Sequence, residues 1–350
     1  MKKVLFLTAA LAAIALTSCK KEQGRQEAEA PAVPAKITVS VTGTGTKATG
    51  MTLDDAAKDA KVNDLQVFVF RGNELEDYKA AGTAMEATLA ATSGERTVFA
   101  LVNAPSAANI RTLSGLNALA TRLSDNATDS FVMSGSVVQD VVDGAVIPVS
   151  VKRNVARVSI NKISTDFKLL RENWNVHVNG LYLLNVASEN VIGLTANPPA
   201  TYVNKLAHSD ASYDALLYDA MNVDVYNDHP YIGEHAFFPY PNPVTNADCL
   251  SAAHLPADSD LPATWSPRST LLVIDVTVTG MVGPDPISIN GYYPIVLPAL
   301  ERNKTYVIEE VQITREPSDK PWQPIVVGES QITISVHPWE VGLNLGTVII

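Results

Sequence analysis

The sequence predicts an all-β protein, and three observations carry that expectation. Apolar and polar residues alternate with period two in short runs, most clearly Ile37, Val39 and Val41 against Thr38, Ser40 and Thr42. Turn formers close such runs, as Arg71-Gly72-Asn73 closes the β-prone Leu65-Gln66-Val67-Phe68-Val69-Phe70. Helical spacing stands out at one place, Ile110 to Leu123, where Leu113, Leu116, Leu119 and Leu123 would let a short amphipathic helix cover a sheet. Short strands with turns between them and almost no helix indicate β-sandwiches.

The N-terminus reads as an export signal. Lys2 and Lys3 precede an apolar run, Val4 to Leu16, too short to span a bilayer. Leu16-Thr17-Ser18-Cys19 looks like a lipobox, so residues 1–18 are expected to be removed and Cys19 to carry lipid. The alternative, an ordinary secretory signal, would leave a free thiol in an oxidising compartment. With Cys19 lipidated only Cys249 remains, which excludes an intrachain disulfide and a cysteine metal site and leaves Cys249 as a small residue near a core. Lys20 to Ala35, rich in Lys, Glu, Gln and Ala, has the composition of a tether.

From Lys36 the first strand runs into the open loop Gly43 to Gly50, whose basic residue is Lys47. A stretch of weak helical character, Leu53 to Lys61, leads to the strand at Leu65. Further strands are expected at Arg96 to Asn103, Val137 to Val142 and Ala145 to Ile160, the last with Pro148 and Lys152-Arg153, which suit an edge or a crossing. A boundary near Val151 gives domains 48–151 and 152–350, since a 350-residue chain favours two cores. The second half repeats the β texture at Asn175 to Val186, Leu271 to Thr279, Ile287 to Val296 and Lys304 to Thr314. Asn197 to Pro267, rich in Pro, Asn, Asp, Ala and Tyr, reads as a large excursion between strands.

At the C-terminal end, about 331–350, Ile332, Ile334 and Val336 alternate on one phase. After His337-Pro338 the phase changes to Trp339, Val341, Leu343 and Leu345. With Val348-Ile349-Ile350, so much apolar surface needs a partner groove; the alternative is a terminal strand paired within its own sheet.

Composition bounds the function. A formal charge of −11, from 26 basic and 37 acidic residues, repels phosphate backbones and excludes nucleic acid as a partner. Apolar content of 46% against 18% charged suits a folded chain rather than a disordered one.

Several stations, taken in order, resemble the fimbrillin family of Bacteroidota, the FimA-type major fimbrial subunits. They are the lipobox at Cys19, the strand Lys36 to Val41, Lys47 followed by Ala48-Thr49-Gly50, and Leu65 to Phe70 with its turn at Gly72-Asn73. Gly94-Glu95-Arg96-Thr97-Val98 leading into Leu101-Val102-Asn103-Ala104, Val151-Lys152-Arg153 with Ala156-Arg157, Leu300 to Tyr306, and Val336 to Val341 with Trp339-Glu340 complete them. The resemblance implies two transthyretin-like β-sandwich domains in tandem and an outer-membrane lipoprotein precursor held through lipid on Cys19. A trypsin-like protease would cut between Lys47 and Ala48, freeing residues 19–47 with the removable strand Ile37, Val39 and Val41. The family's best-known members are cut after Arg, so Lys47 is a departure that keeps the basic charge a trypsin-like protease needs but leaves the protease unidentified. Trp339, Val341, Leu343 and Leu345 would then be the donor strand that joins copies head-to-tail in a fimbria on the cell surface. The expected partners are copies of itself, anchor and tip subunits, and host or bacterial surface ligands in adhesion and biofilm formation. A tip or accessory adhesin of the same fold and a surface glycan-binding lipoprotein are the alternatives.

No enzyme chemistry or cofactor is expected. The closest histidines, His229 and His235, lack helical spacing and a third ligand. Ser134-Gly135-Ser136 lacks the preceding glycine of a nucleophile elbow. Asp54, Asp55, Asp248, Asp258 and Asp260 lack calcium-loop spacing and read as loop residues. Tyr292, Tyr293, Trp322 and Trp339 read as core or interface, with a glycan platform as the alternative.

Overall fold

The computed structural model describes residues 33–43, 59–193, 201–244, 269–323, 337–338 and 347–349. Its first half holds β1 (Pro34–Thr42), β2 (Leu65–Arg71), β3 (Glu74–Gly82), β4 (Glu86–Thr92), β5 (Gly94–Val102), β6 (Ala120–Arg122), β7 (Met133–Val141), β8 (Val146–Ser150) and β9 (Lys152–Arg153). Two sheets, ordered β4-β1-β8 and β3-β2-β5-β7-β9, face each other. Ile37, Val39, Leu89 and Ile147 of one meet Val67, Val69, Val98 and Met133 of the other in a shared core. This is a β-sandwich, as the alternation predicted.

Strand β2 is buried on both faces because its two phases serve different cores. Val67 and Val69 point into the sandwich, whereas Phe68 and Phe70 join a second cluster with Leu116 outside it. Leu116 belongs to the expected covering helix, which is shorter than the spacing suggested. The helix is Leu113–Asn117, capped by Thr112 Oγ1 accepting from Gly115 N at 3.1 Å. Leu119 lies beyond it, and Leu123 opens a 3-10 turn. The reason is tertiary: Ala120–Arg122 pairs antiparallel with Glu189–Val191, and sheet pairing overrides the helical period.

The second half holds β10 (Arg157–Thr165), β11 (Asn175–Leu184), β12 (Val186–Ala187), β13 (Glu189–Val191), β14 (Tyr202–Val203), β15 (Tyr218–Val225), β16 (Tyr231–Phe237), β17 (Leu271–Val282), β18 (Asp285–Val296), β19 (Lys304–Ile308), β20 (Glu310–Ile313), β21 (His337–Pro338) and β22 (Thr347–Ile349). One sheet runs β21-β19-β10-β20-β22 with β16 also on β10, and the other runs β15-β11-β17-β18. Between them lies a core that includes Ile160, Trp174, Val178, Phe237, Ile274, Tyr293 and Tyr306.

Three expectations change. The run Ala145 to Ile160 is not one strand but β8, β9 and the start of β10, because the chain leaves one sandwich for the other at Val151–Arg153. Lys304 to Thr314 divides into β19 and β20, both parallel to β10. The stretch 197–267 is not simply an excursion: its described residues contain β14, β15 and β16, and β15 and β16 supply an edge to each sheet of the second sandwich. Met221, Val223 and Val225 alternate with Asn222 and Asp224 there, a period-two signal hidden among turn formers.

Candidate functional site

The informative site is the slot that β1 occupies. Its burial pattern is strictly alternating, with Ile37 and Val39 fully buried and Val41 5% exposed. Each buried aliphatic contributes about 1.5–3 kcal/mol, so the three are worth on the order of 5–9 kcal/mol before ordering is counted. β1 is the central strand of its sheet. It pairs antiparallel with β4, Pro34 opposite Thr92 through Ser40 opposite Glu86, and parallel with β8, Thr38 opposite Val146 through Thr42 opposite Ser150. Without it β4 and β8 would face each other across about 9–10 Å, twice the strand spacing, with both inner edges unpaired.

The far end of the slot is anchored by Lys36 N donating to Asp143 Oδ1 at 2.8 Å and Gly144 N donating to Lys36 O at 2.9 Å. Thr38 N donates to Ala145 O and Val41 N to Met85 O, both at 2.9 Å; Val151 N donates to Thr42 O at 3.0 Å. Since Ala145 and Val151 turn toward β1, the odd residues of β8 line the slot and Pro148 faces outward. Its missing N–H therefore falls on the outer edge of β8, where it blocks a strand from adding on that side and leaves the slot side intact. Gly135 on β7 is demanded by close approach: a Cβ there would lie 2.0 Å from Ser150 O.

At the junction between sandwiches, Leu300 to Tyr306 forms a clamp. Asn303, at φ 56°, donates its N to Val155 O at 2.8 Å and accepts from Arg153 N through Oδ1 at 3.2 Å. Tyr306 OH accepts from Glu301 N at 2.8 Å and donates to Ala299 O at 3.0 Å. Arg302 donates to Ser134 O at 3.0 Å, Ser134 Oγ at 3.1 Å, Lys152 O at 2.6 Å and Arg153 O at 3.2 Å. Burial lowers the guanidinium pKa of Arg302 to about 10, and that of Arg153 likewise despite Asp59 nearby, so both stay charged at neutral pH. The motif around Arg96 is structural too: Arg96 Nε donates to Glu76 Oε2 at 2.8 Å, and Thr92 Oγ1 donates to Glu76 Oε1 at 2.5 Å. Burial raises the Glu76 carboxyl, but those bonds outweigh it and hold it below the ordinary carboxylate range. Asn103 Oδ1 accepts from Asn63 N at 2.8 Å and Asp64 N at 3.1 Å, fixing the entry to β2.

Of the sequence-predicted residues, Ile37, Val39 and Val41 line one face of β1. Cys19, Lys47, Ala48, Trp339, Val341, Leu343 and Leu345 lie outside the described residues, as do Cys249, Asp54, Asp55, Asp248, Asp258 and Asp260. Within the expected donor segment, about 331–350, the described residues pair in the second sandwich's own sheet, the alternative the sequence left open there: His337–Pro338 pairs with Thr305 and Lys304, and Thr347–Ile349 pairs with Glu310–Gln312. Tyr293 and Trp322 are buried and Tyr292 packs beside Trp322, which makes them core rather than a platform. His235 bonds Asp219 and Tyr231. Sequence reasoning missed the clamp role of Arg302, which nothing local marks, and the alternating Ala87, Leu89 and Ala91 of β4, whose small side chains give a weak signal.

The family model for the major fimbrial subunit protein FimA matches residues 35–161, from β1 to the start of β10. Major fimbrium subunit FimA type-2 of Porphyromonas gingivalis is 27% identical over 238 residues, 61% of this chain and 57% of that protein. The type-3 subunit of the same organism matches to the same extent, so this chain spans less than two thirds of the length of these relatives. Among solved structures, a candidate cell adhesion protein of Bacteroides eggerthii superposes with a TM-score of 0.62 at 17% identity, covering 91% of this chain and 99% of that one. A fimbrilin of Porphyromonas gingivalis superposes with a TM-score of 0.58 at 16% identity, covering 90% and 98%. The resemblance read from the sequence and the tandem β-sandwich fold are thus borne out.

Proposed function

We propose that this chain is a structural, non-enzymatic subunit of a cell-surface fimbria of the FimA type. It is exported as a lipoprotein through Cys19, matured by cleavage between Lys47 and Ala48, and polymerised by strand exchange into the slot of β1. Mature protein then comprises 48–151 and 152–350, and its partners are further copies, anchor and tip subunits. The observation that carries this reading is the placement of β1, a central strand whose whole apolar phase is buried and which is followed within a few residues by Lys47. Cleavage there makes departure of the strand effectively irreversible. The emptied slot then exposes apolar side chains and unpaired backbone groups, which a strand of the same period relieves. Trp339, Val341, Leu343 and Leu345 have that period and larger side chains. A head-to-tail contact of this kind propagates as a filament.

The test is electron microscopy of protein treated with a trypsin-like protease. Filaments whose subunits begin Ala48-Thr49-Gly50 are expected. Val341→Asp or Leu343→Asp, which keep Thr347–Ile349 on β20, should leave a folded, cleavable monomer that assembles weakly. Undiminished filaments from these variants would place the donor elsewhere, and subunits that begin upstream of Lys36 would refute removal of the first strand.

A further inference from the structure

We propose that Arg302 is a positioning residue for the slot, a latch through which the second sandwich holds the slot's closing end. This rests on the strand-exchange reading for its biological meaning, though its geometry does not. β1 ends where Thr42 O accepts from Val151 N. Gly43 follows at φ 85°, packed so closely on the corner after β8 that a Cβ would lie 2.8 Å from Ser150 Oγ and 3.1 Å from Val151 O. One residue beyond Val151, the Lys152 carbonyl accepts from Arg302 Nη2 at 2.6 Å. The same guanidinium holds Ser134 of β7 and the Arg153 carbonyl, so a single side chain from the second sandwich ties together the β8–β9 corner and the strand of the opposite sheet beside it.

Its four acceptors are three carbonyls and one hydroxyl, none of them an anion. Arg302 is half-buried, and a cation held there by neutral oxygens gains most while those oxygens converge on its planar fork. Emptying the slot removes the acceptor of Val151 N, next to the Lys152 carbonyl, and so loosens the corner on which Arg302 depends. Coupling of this kind is reciprocal: what the slot does to the latch, the latch does to the slot. The two sandwiches are therefore held most firmly when a strand, its own or another copy's, fills the slot.

Amide hydrogen exchange on the full chain tests this. In Arg302→Met the Val39 and Val41 amides of β1 should exchange about tenfold faster than in wild type. Arg302→Lys, which keeps the charge but not the planar fork, should show a smaller increase. Tyr293→Phe, which removes a hydrogen bond to Arg315 O at the other end of the second sandwich, should leave β1 unchanged. Equal β1 exchange in wild type and Arg302→Met overturns the latch, as does an equal rise in Tyr293→Phe; should Arg302→Met fail to fold, the Arg302→Lys ratio carries the same test. A second arm separates the two ideas. After cleavage at Lys47, a labelled peptide with the sequence of residues 34–42 should displace the first strand, and faster in Arg302→Met. Displacement at the same rate in both proteins overturns the latch. No displacement in either, with β1 exchange still raised by Arg302→Met, upholds the latch and sinks the strand-exchange reading.

Discussion

The two sandwiches share an architecture but not a filling. The core of the first, around β1, is Ala, Val, Ile, Leu and Met without an aromatic ring among its buried residues. The core of the second interlocks Phe167, Trp174, Phe237, Phe238, Tyr240, Tyr293 and Tyr306. Phe167 and Trp174 meet edge to face with centroids 5.5 Å apart, and Tyr293 OH donates to Arg315 O at 2.6 Å. Rings with fixed packing geometry and satisfied hydroxyls leave little freedom to substitute one strand for another. A slot lined by small aliphatics accepts any strand of the right period and roughly the right volume. On the strand-exchange reading proposed above, the difference teaches that the first half suits replaceable contacts and the second half permanent ones.

Val39→Asp should break that division most forcefully. A carboxylate in the middle of the slot removes a buried aliphatic and lacks a partner, at about 5 kcal/mol. The first sandwich should lose exchange protection throughout β1, β4 and β8 while β11 and β17 keep theirs. Loss in both halves together would show one cooperative unit.

Phe167→Ala is the complementary probe. Phe167 is 1% exposed, and truncating a buried Phe costs about 3–5 kcal/mol. Thermal unfolding followed by exchange should show the second sandwich weakened and β1 protection unaltered. Equal weakening of β1 would erase the contrast between the cores.

The smallest effect sharpens the comparison at the corner of β3, β4 and β5. Glu76 has a folded pKa below its unfolded value, so its contribution is fully present above the unfolded pKa and fades as pH falls through the folded one. Acidification from neutral pH should loosen this corner before the second sandwich, and Glu76→Gln should remove the difference at a cost of about 1–2 kcal/mol. A pH-independent corner in the wild type would deny Glu76 that role.

Much of this was legible in the sequence because it is local. Ile37, Val39 and Val41 declare a half-buried strand by their period, Gly72 declares a turn, and Pro148 declares an edge, since each follows from backbone geometry within a few residues. The weakly apolar Ala87, Leu89 and Ala91 escaped notice, and Met221, Val223 and Val225 were masked by the Asn, Asp and Pro around them. Only the tertiary structure decided that β1 is central, antiparallel to β4 and parallel to β8, or that Arg302 reaches back to Ser134 and Lys152. Strand neighbours are chosen by backbone hydrogen bonds that every residue except proline can make, so pairing over a hundred residues leaves no mark on side-chain identity. A guanidinium whose acceptors are mostly backbone carbonyls is equally silent, because any residue at those positions offers the same oxygen.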